Sequence, residues 1–277
     1  MTNKPLFAAC LMTLALTGTA GPVLGDDRGP IDQDVQISLG GFFMDTETKV
    51  RLDGETTGTG TDVDWESEFD MPDTDRFRVD AFWRFAAKHK VRFMYFQNNR
   101  SSTQTLTRDV DFGDTTFPVN LEVNARLDTS IIEVAYEYAF LRRENLELSG
   151  SIGIHNVQME AALRGNITGP GGGAAAEVEE VADANGPLPV IGVHFLWNIG
   201  GNFYFDGLAQ FFFAEFDNYD GSLEDYKIGV TWFPLRNVGI GVGYNEFVTR
   251  LKVDKDDFTG RLRLGYGGPL AFFTVGF

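Results

Sequence analysis

The sequence predicts an all-β fold: a transmembrane barrel of about ten antiparallel up-and-down strands, with eight or twelve as the alternatives. Three observations predict it. From residue 76 onward, apolar and polar residues alternate with a period of two, the period of a strand. The connections between alternating stretches are short and long in turn, the layout of a barrel with turns on one side of a bilayer and loops on the other. After the N-terminal leader, no stretch approaches the ~18 apolar residues of a transmembrane helix. A membrane-spanning form must then be a closed barrel, because only helices and closed barrels pair every backbone group in lipid.

The leader reads as a secretory signal. Lys4 precedes an apolar run at 6–16, too short to span a bilayer. Val23 and Gly25 supply the small residues before a cut, which places the signal at 1–25 and the barrel at 26–277; a cut after Ala20 is the alternative. Cys10 falls inside the signal, and too little apolar sequence precedes it for a lipid-anchor motif. Removing the signal leaves a chain without cysteine, so neither disulfides nor thiol chemistry enter. The formal net charge is −17 and becomes −18 when Lys4 is lost. So acidic a chain is a poor partner for nucleic acid, whose binding rests on Lys and Arg meeting phosphates.

The strands follow in order. In 76–85, Phe77, Val79, Ala81, Trp83 and Phe85 share one parity, and Arg76, Arg78, Asp80 and Arg84 the other. A turn at 86–90 leads to Val91, Phe93 and Tyr95 alternating with Arg92, Met94, Phe96 and Asn98. Segment 132–140 alternates Ile132, Val134, Tyr136, Tyr138 and Phe140 with Glu133 and Glu137; after a turn at 141–145, 146–155 sets Leu148, Ile152 and Ile154 against Glu147, Ser149, Ser151 and His155. Segments 191–198 and 203–213 flank a turn at 199–202, with His194 and Asp206 on their polar parity. Segments 226–232 and 238–245 flank a turn at 234–237, with Lys227 and a row of Gly239, Gly241 and Gly243 on theirs. That row predicts a bulky group packed opposite. Long polar links are expected at 51–74, 99–120, 162–188, 217–223 and 253–257. The link at 162–188 holds a Gly/Pro run at 169–173 and an Ala/Glu run that suits a short helix at 174–182.

In the last stretch, Leu262, Leu264 and Tyr266 have even parity, whereas Ala271, Phe273, Val275 and Phe277 have odd parity. Gly267-Gly268-Pro269 between them reads as a bulge that shifts the phase, or else as a turn into an eleventh strand. Phe273, Val275 and the terminal Phe277 resemble the C-terminal signal by which outer-membrane assembly machinery recognises barrel substrates. Aromatic residues beside the short turns (Trp83, Phe85, Tyr138, Phe140, Trp197, Phe203, Trp232 and Phe233) suit an interfacial girdle. The alternative, a soluble sandwich or lipocalin-like barrel, would turn the apolar parity inward.

The stretches 59–64 (TGTDVD), 82–86 (FWRFA) with His89, and 112–118 (FGDTTFP) resemble a group of uncharacterised proteobacterial outer-membrane barrels. More loosely, the chain resembles small barrels such as the outer membrane protein W family. The resemblance implies fold and a Gram-negative outer-membrane location, with lipid and lipopolysaccharide around the barrel and the assembly machinery as a partner during biogenesis. It implies no activity.

The expected lumen-facing set is Arg76, Arg78, Asp80, Arg84, Arg92, Glu133, Glu137, Glu147, His155, His194, Asp206, Lys227, Arg261 and Arg263. The first reading is that they line a small passive channel or conduit for small molecules; the alternative is a closed structural or surface-interaction barrel in which these charges pair and plug the lumen. A third reading, a lipid-modifying enzyme, would rest on Ser149 or Ser151 with His155, or on His194; no catalytic motif surrounds them, so no enzyme, cofactor or metal is expected. The acids Asp62, Asp64, Glu66, Glu68, Asp70, Asp73 and Asp75 form a solvated loop or a place for divalent ions bridging lipopolysaccharide phosphates.

Overall fold

Period-two alternation, carried further than the sequence suggests, builds long strands that close on themselves. The computed structural model describes residues 29–53, 60–73, 75–168, 175–216, 219–255 and 258–277. The expected signal at 1–25, Cys10, both expected cut sites and the run 169–173 lie outside the described residues. In chain order the elements are β1 (Val35–Phe42), β2 (Asp45–Leu52), β3 (Val63–Asp64), α1 (Trp65–Phe69), β4 (Arg76–Ala86), β5 (His89–Thr105), β6 (Val110–Phe112), β7 (Thr115–Phe117), β8 (Glu122–Arg143), β9 (Leu146–Thr168), β10 (Ala175–Gly200), β11 (Phe203–Phe216), β12 (Tyr219–Leu235), β13 (Val238–Lys255) and β14 (Phe258–Gly276).

β1 and β2 lie end to end along β14 in one unbroken register, Phe42 opposite Leu270 and Asp45 opposite Gly267, and count as a single barrel strand. With it, β4, β5 and β8 to β14 make a closed ten-stranded antiparallel barrel. The seam joins first strand to last. Gln36 pairs with Gly276, and the Phe277 N–H donates to the Val35 carbonyl at 2.8 Å. Four two-residue turns, at 87–88, 144–145, 201–202 and 236–237, mark one end. At the third, Gly201 and Asn202 both take positive φ (61° and 64°), the type I′ geometry that matches strand twist.

The other end differs from the expected loops. β9 and β10 continue through most of 162–188, pairing Ala161 with Ala182 and Leu163 with Glu180. Where the expected helix at 174–182 falls on described residues, from Ala175 on, it is strand: its Ala/Glu composition favours helix weakly, and the open edge of β9 overrides that preference. Link 51–74 contains β3 and α1, and link 99–120 contains the β6–β7 hairpin; both fold over the barrel mouth. The Asp64 side chain caps α1 by accepting from the Ser67 N–H at 3.1 Å.

Toward the turn end, large apolar side chains face outward: Ile37, Leu39, Phe77, Trp83, Val134, Phe140, Ile152, Ile191, Val193, Ile228, Val242 and Phe273 are all exposed. A contiguous apolar face of that extent belongs in lipid, and segments such as 132–140 match the ~9–11 residues a tilted strand needs to cross it. Toward the loop end the faces exchange character. Arg126, Asp128, Glu160 and Arg164 are outside, while Val123, Ala125, Leu127, Ala161 and Leu163 are buried inside. Along β14 the parity does not slip. On β14 the even residues Leu264, Tyr266, Leu270 and Thr274 stay buried through Gly267-Gly268-Pro269, and the pairing with β13 runs from Val238–Val275 to Lys255–Phe258 in one register. The expected bulge and the eleventh strand are both absent, because what changes there is the surroundings of the strand and not its phase.

Candidate functional site in the barrel interior

Narrow barrels fill their interiors with side chains, and here the filling is layered. At the turn end, the segment before β1 folds into the mouth, where Ile31 packs with Leu196, Tyr204 and Phe233; Phe233, expected in the outer girdle, thus points inward. Its backbone is held by Arg84, which donates to the Gln33 carbonyl at 3.3 Å, and by Arg142, which donates to the Ile31 carbonyl at 3.0 Å and to Asp32 at 2.8 Å. Above it lies a charged layer. Higher still, Phe42, Phe96, Phe247 and Tyr266 form an aromatic layer, with Phe247 stacked on Tyr266 at 4.7 Å. At the loop end Trp65, Phe69, Leu106, Phe112 and Phe117 close the mouth.

The charged layer is a chain of ion pairs. Glu147 takes Arg84 at 2.8 Å and Lys90 at 2.6 Å; Lys90 also meets Glu137 at 3.0 Å. Arg92 spans Glu137 (3.3 Å) and Glu133 (2.5 Å). His194 lies 3.3 Å from Glu137, and His155 lies 3.7 Å from Glu133. Further along β4, Asp80 takes Arg78 at 2.8 Å and Lys227 of β12 at 3.2 Å. Charges this deep are tolerated only when paired, and removing one partner costs more than the pair contributes. A cavity of about 90 Å³ remains between Arg78, Asp80, Arg92, His194, Asp206 and Lys227, room for a few water molecules.

Of the residues expected inside, Arg78, Arg84, Arg92, Glu133, Glu137, Glu147, His155 and His194 gather in this layer, and Asp206 and Lys227 border its cavity. Arg76 has the same parity and donates to Asn98 at 3.0 Å. Arg261 and Arg263 belong on the other face. Arg261 is exposed, and Arg263 pairs with Glu47 at 3.1 Å on the outer surface. They lie above the apolar band, where the outer face is the polar one. Of the glycine row, Gly241 meets the expectation, since a Cβ there would meet the Phe272 ring at 2.2 Å; a Cβ on Gly239 would first meet the Thr274 methyl at 2.8 Å, and one on Gly243 the Ile228 carbonyl at 2.6 Å.

Sequence reasoning missed Lys90, assigned to a turn although it shares the parity of Arg84 and Arg92. It also missed Gln210, Asp225 and Asn245, which join the network from β11, β12 and β13 with no local motif to mark them. Ser149 and Ser151 have no hydrogen-bond partner among the described residues, so neither forms a nucleophile–base pair with His155. His89, within the turn expected at 86–90, instead opens β5 and hydrogen-bonds to the Tyr136 hydroxyl at 2.7 Å. The first acidic loop is largely committed to partners. Asp62 pairs with Arg51, Glu66 with Arg100 and Glu68 with Arg108, which makes the segment a strapped cap.

No protein-family model matches the chain, and no curated protein matches it in sequence. Among solved structures it is similar to the outer membrane protease OmpT from Escherichia coli, with a TM-score of 0.59 and 12% identity over 90% of this chain and 98% of that one. It also aligns with outer membrane protein AlkL (TM-score 0.37, 11% identity, 94% of this chain and 96% of that one). A third alignment is with the P. putida toluene transporter TodX (TM-score 0.35, 8% identity, 88% and 90%). The first likeness shows the fold, a transmembrane barrel of the outer-membrane kind. The other two are too distant to carry an argument. The resemblance to the outer membrane protein W family therefore holds only at the coarser level of an outer-membrane barrel.

Proposed function

We propose that this chain is an outer-membrane barrel closed to solutes, serving a structural or surface-contact role. The observation that carries the reading is the continuous filling of the described interior: the Ile31 segment, the ion-pair layer, the aromatic layer and the α1/β6–β7 cap stand in series. A passive channel would need an open polar path, and the cavity of about 90 Å³ has Pro30, Tyr204, Phe233, Leu270 and Phe272 in its lining beside the charged groups. An enzyme reading has less support, since neither serine meets a base. On this proposal the apolar band contacts lipid and lipopolysaccharide. Phe273, Val275 and Phe277, all facing outward on the last strand, are then accessible to the assembly machinery.

Swelling of liposomes loaded with the refolded protein tests the closure. Pentose and disaccharide solutions are expected to swell them no faster than empty liposomes. Swelling that decreases with sugar size would instead favour the channel.

A further inference from the structure

We propose that Glu133, His155 and Asp225 form a binding site for a divalent transition cation of the zinc class inside the barrel. One nitrogen of His155 and one carboxylate oxygen from each acid lie within 4.8 Å of one another, and all three residues are buried. They come from β9, β8 and β12, so no sequence spacing could reveal the set. One nitrogen with two carboxylates is a donor set that suits zinc or its first-row neighbours.

The hydrogen bonds around the cluster leave donor atoms unused. Gln210 donates through Nε2 to Glu133 Oε1 at 2.9 Å, a bond that fixes its amide orientation because a carboxylate only accepts. Its carbonyl oxygen therefore faces His155 Nε2, 3.1 Å away, and that nitrogen carries the hydrogen. Among the described residues the Nδ1 lone pair has no partner, in a residue with 0% exposure. A histidine whose second N–H is held by an acceptor is the usual form of a metal ligand. Gly192 permits the arrangement, since a Cβ there would meet Gln210 at 2.7 Å.

Asp225 shows the same pattern. Its Oδ1 accepts from Asn245 at 2.6 Å, while its buried Oδ2 has no hydrogen-bond partner among the described residues. Among the described residues no Lys or Arg comes within ion-pairing distance of it, unlike Glu133, Glu137 and Glu147. Glu133 spends Oε1 on Arg92 and Gln210, and its Oε2 lies 3.7 Å from His155 Nε2. A cation here would tie three strands together across the lumen and satisfy both orphaned atoms. This role is structural and does not depend on whether the barrel conducts.

The test is metal content and stability of the full chain refolded with chelator, then equilibrated with zinc chloride and freed of excess metal. Folded protein is expected to retain about one zinc per chain and to need more urea to unfold. His155→Gln and Asp225→Asn should lose both effects, while Asp206→Asn, at the cavity, should keep them. Absence of retained zinc, or equal zinc in wild type and both variants, would overturn the site. If a variant fails to fold, a wild-type unfolding midpoint that does not move with added zinc overturns it equally.

Discussion

The Lys90 ammonium lies 2.6 Å from Glu147 in the barrel interior, both side chains all but inaccessible, and 3.0 Å from Glu137 as well. One cation thus serves two buried carboxylates, and Phe82 lies beneath it at 5.3 Å. Lys90→Met keeps the volume and deletes the charge. It is expected to cost about 3–5 kcal/mol, the scale for breaking a buried pair. The urea midpoint of heat-modifiable gel migration reads the change, and a loss under about 1 kcal/mol would show that Arg84 and Arg92 alone hold the acids.

Gly241 exists to admit Phe272. Because the ring occupies the place of a Cβ at 2.2 Å, Gly241→Ala is expected to destabilise the barrel by about 1–3 kcal/mol through overpacking. Adding Phe272→Leu should return part of the loss. Additive costs in the double variant would contradict the contact.

The segment before β1 is a stopper held by one main anchor. Ile31→Ala removes the side chain buried among Leu196, Tyr204 and Phe233 and is expected to cost about 2 kcal/mol. The same variant should make the segment a faster protease target, measured by limited proteolysis of the folded barrel. Unchanged cleavage would mean that the Arg142 and Arg84 contacts suffice.

Asp128, on the outer face above the apolar band, stands directly opposite Glu160. Burial by its neighbours pushes its carboxyl above the ordinary value; Arg126 pulls it back and Glu160 adds to the rise. The folded state then binds that proton more tightly than the unfolded state does, so this site's contribution to stability falls as pH rises from the ordinary carboxylate value through the raised one. Asp128→Asn is expected to stabilise at neutral pH by about a few tenths of a kcal/mol, the group being partly solvated, and to gain nothing at pH near 3. Paired urea titrations at the two values decide it; a loss at neutral pH would mean that the contact with Arg126 outweighs the repulsion.

The strands were legible wherever one face meets lipid, because period two and a single polarity rule coincide there. The rule fails above the band. Leu262, Leu264 and Tyr266 point inward beneath the cap, and Arg261 and Arg263 outward into water, so the same parity that carries charge inside the band carries it outside beyond it. Reading a polarity exchange as a phase shift produced the bulge at Gly267-Gly268-Pro269. The acids of the ion-pair layer were visible as inward-parity charges. Gln210, Asp225 and Asn245 were not, since their partners lie on other strands and only barrel closure brings them together.

Single-channel recording of the refolded barrel in a planar bilayer tests the closed interior most directly. The filled lumen predicts silence from samples whose heat-modifiable migration shows them folded. Discrete, reproducible openings whose ion selectivity changes with Arg92→Gln would contradict it.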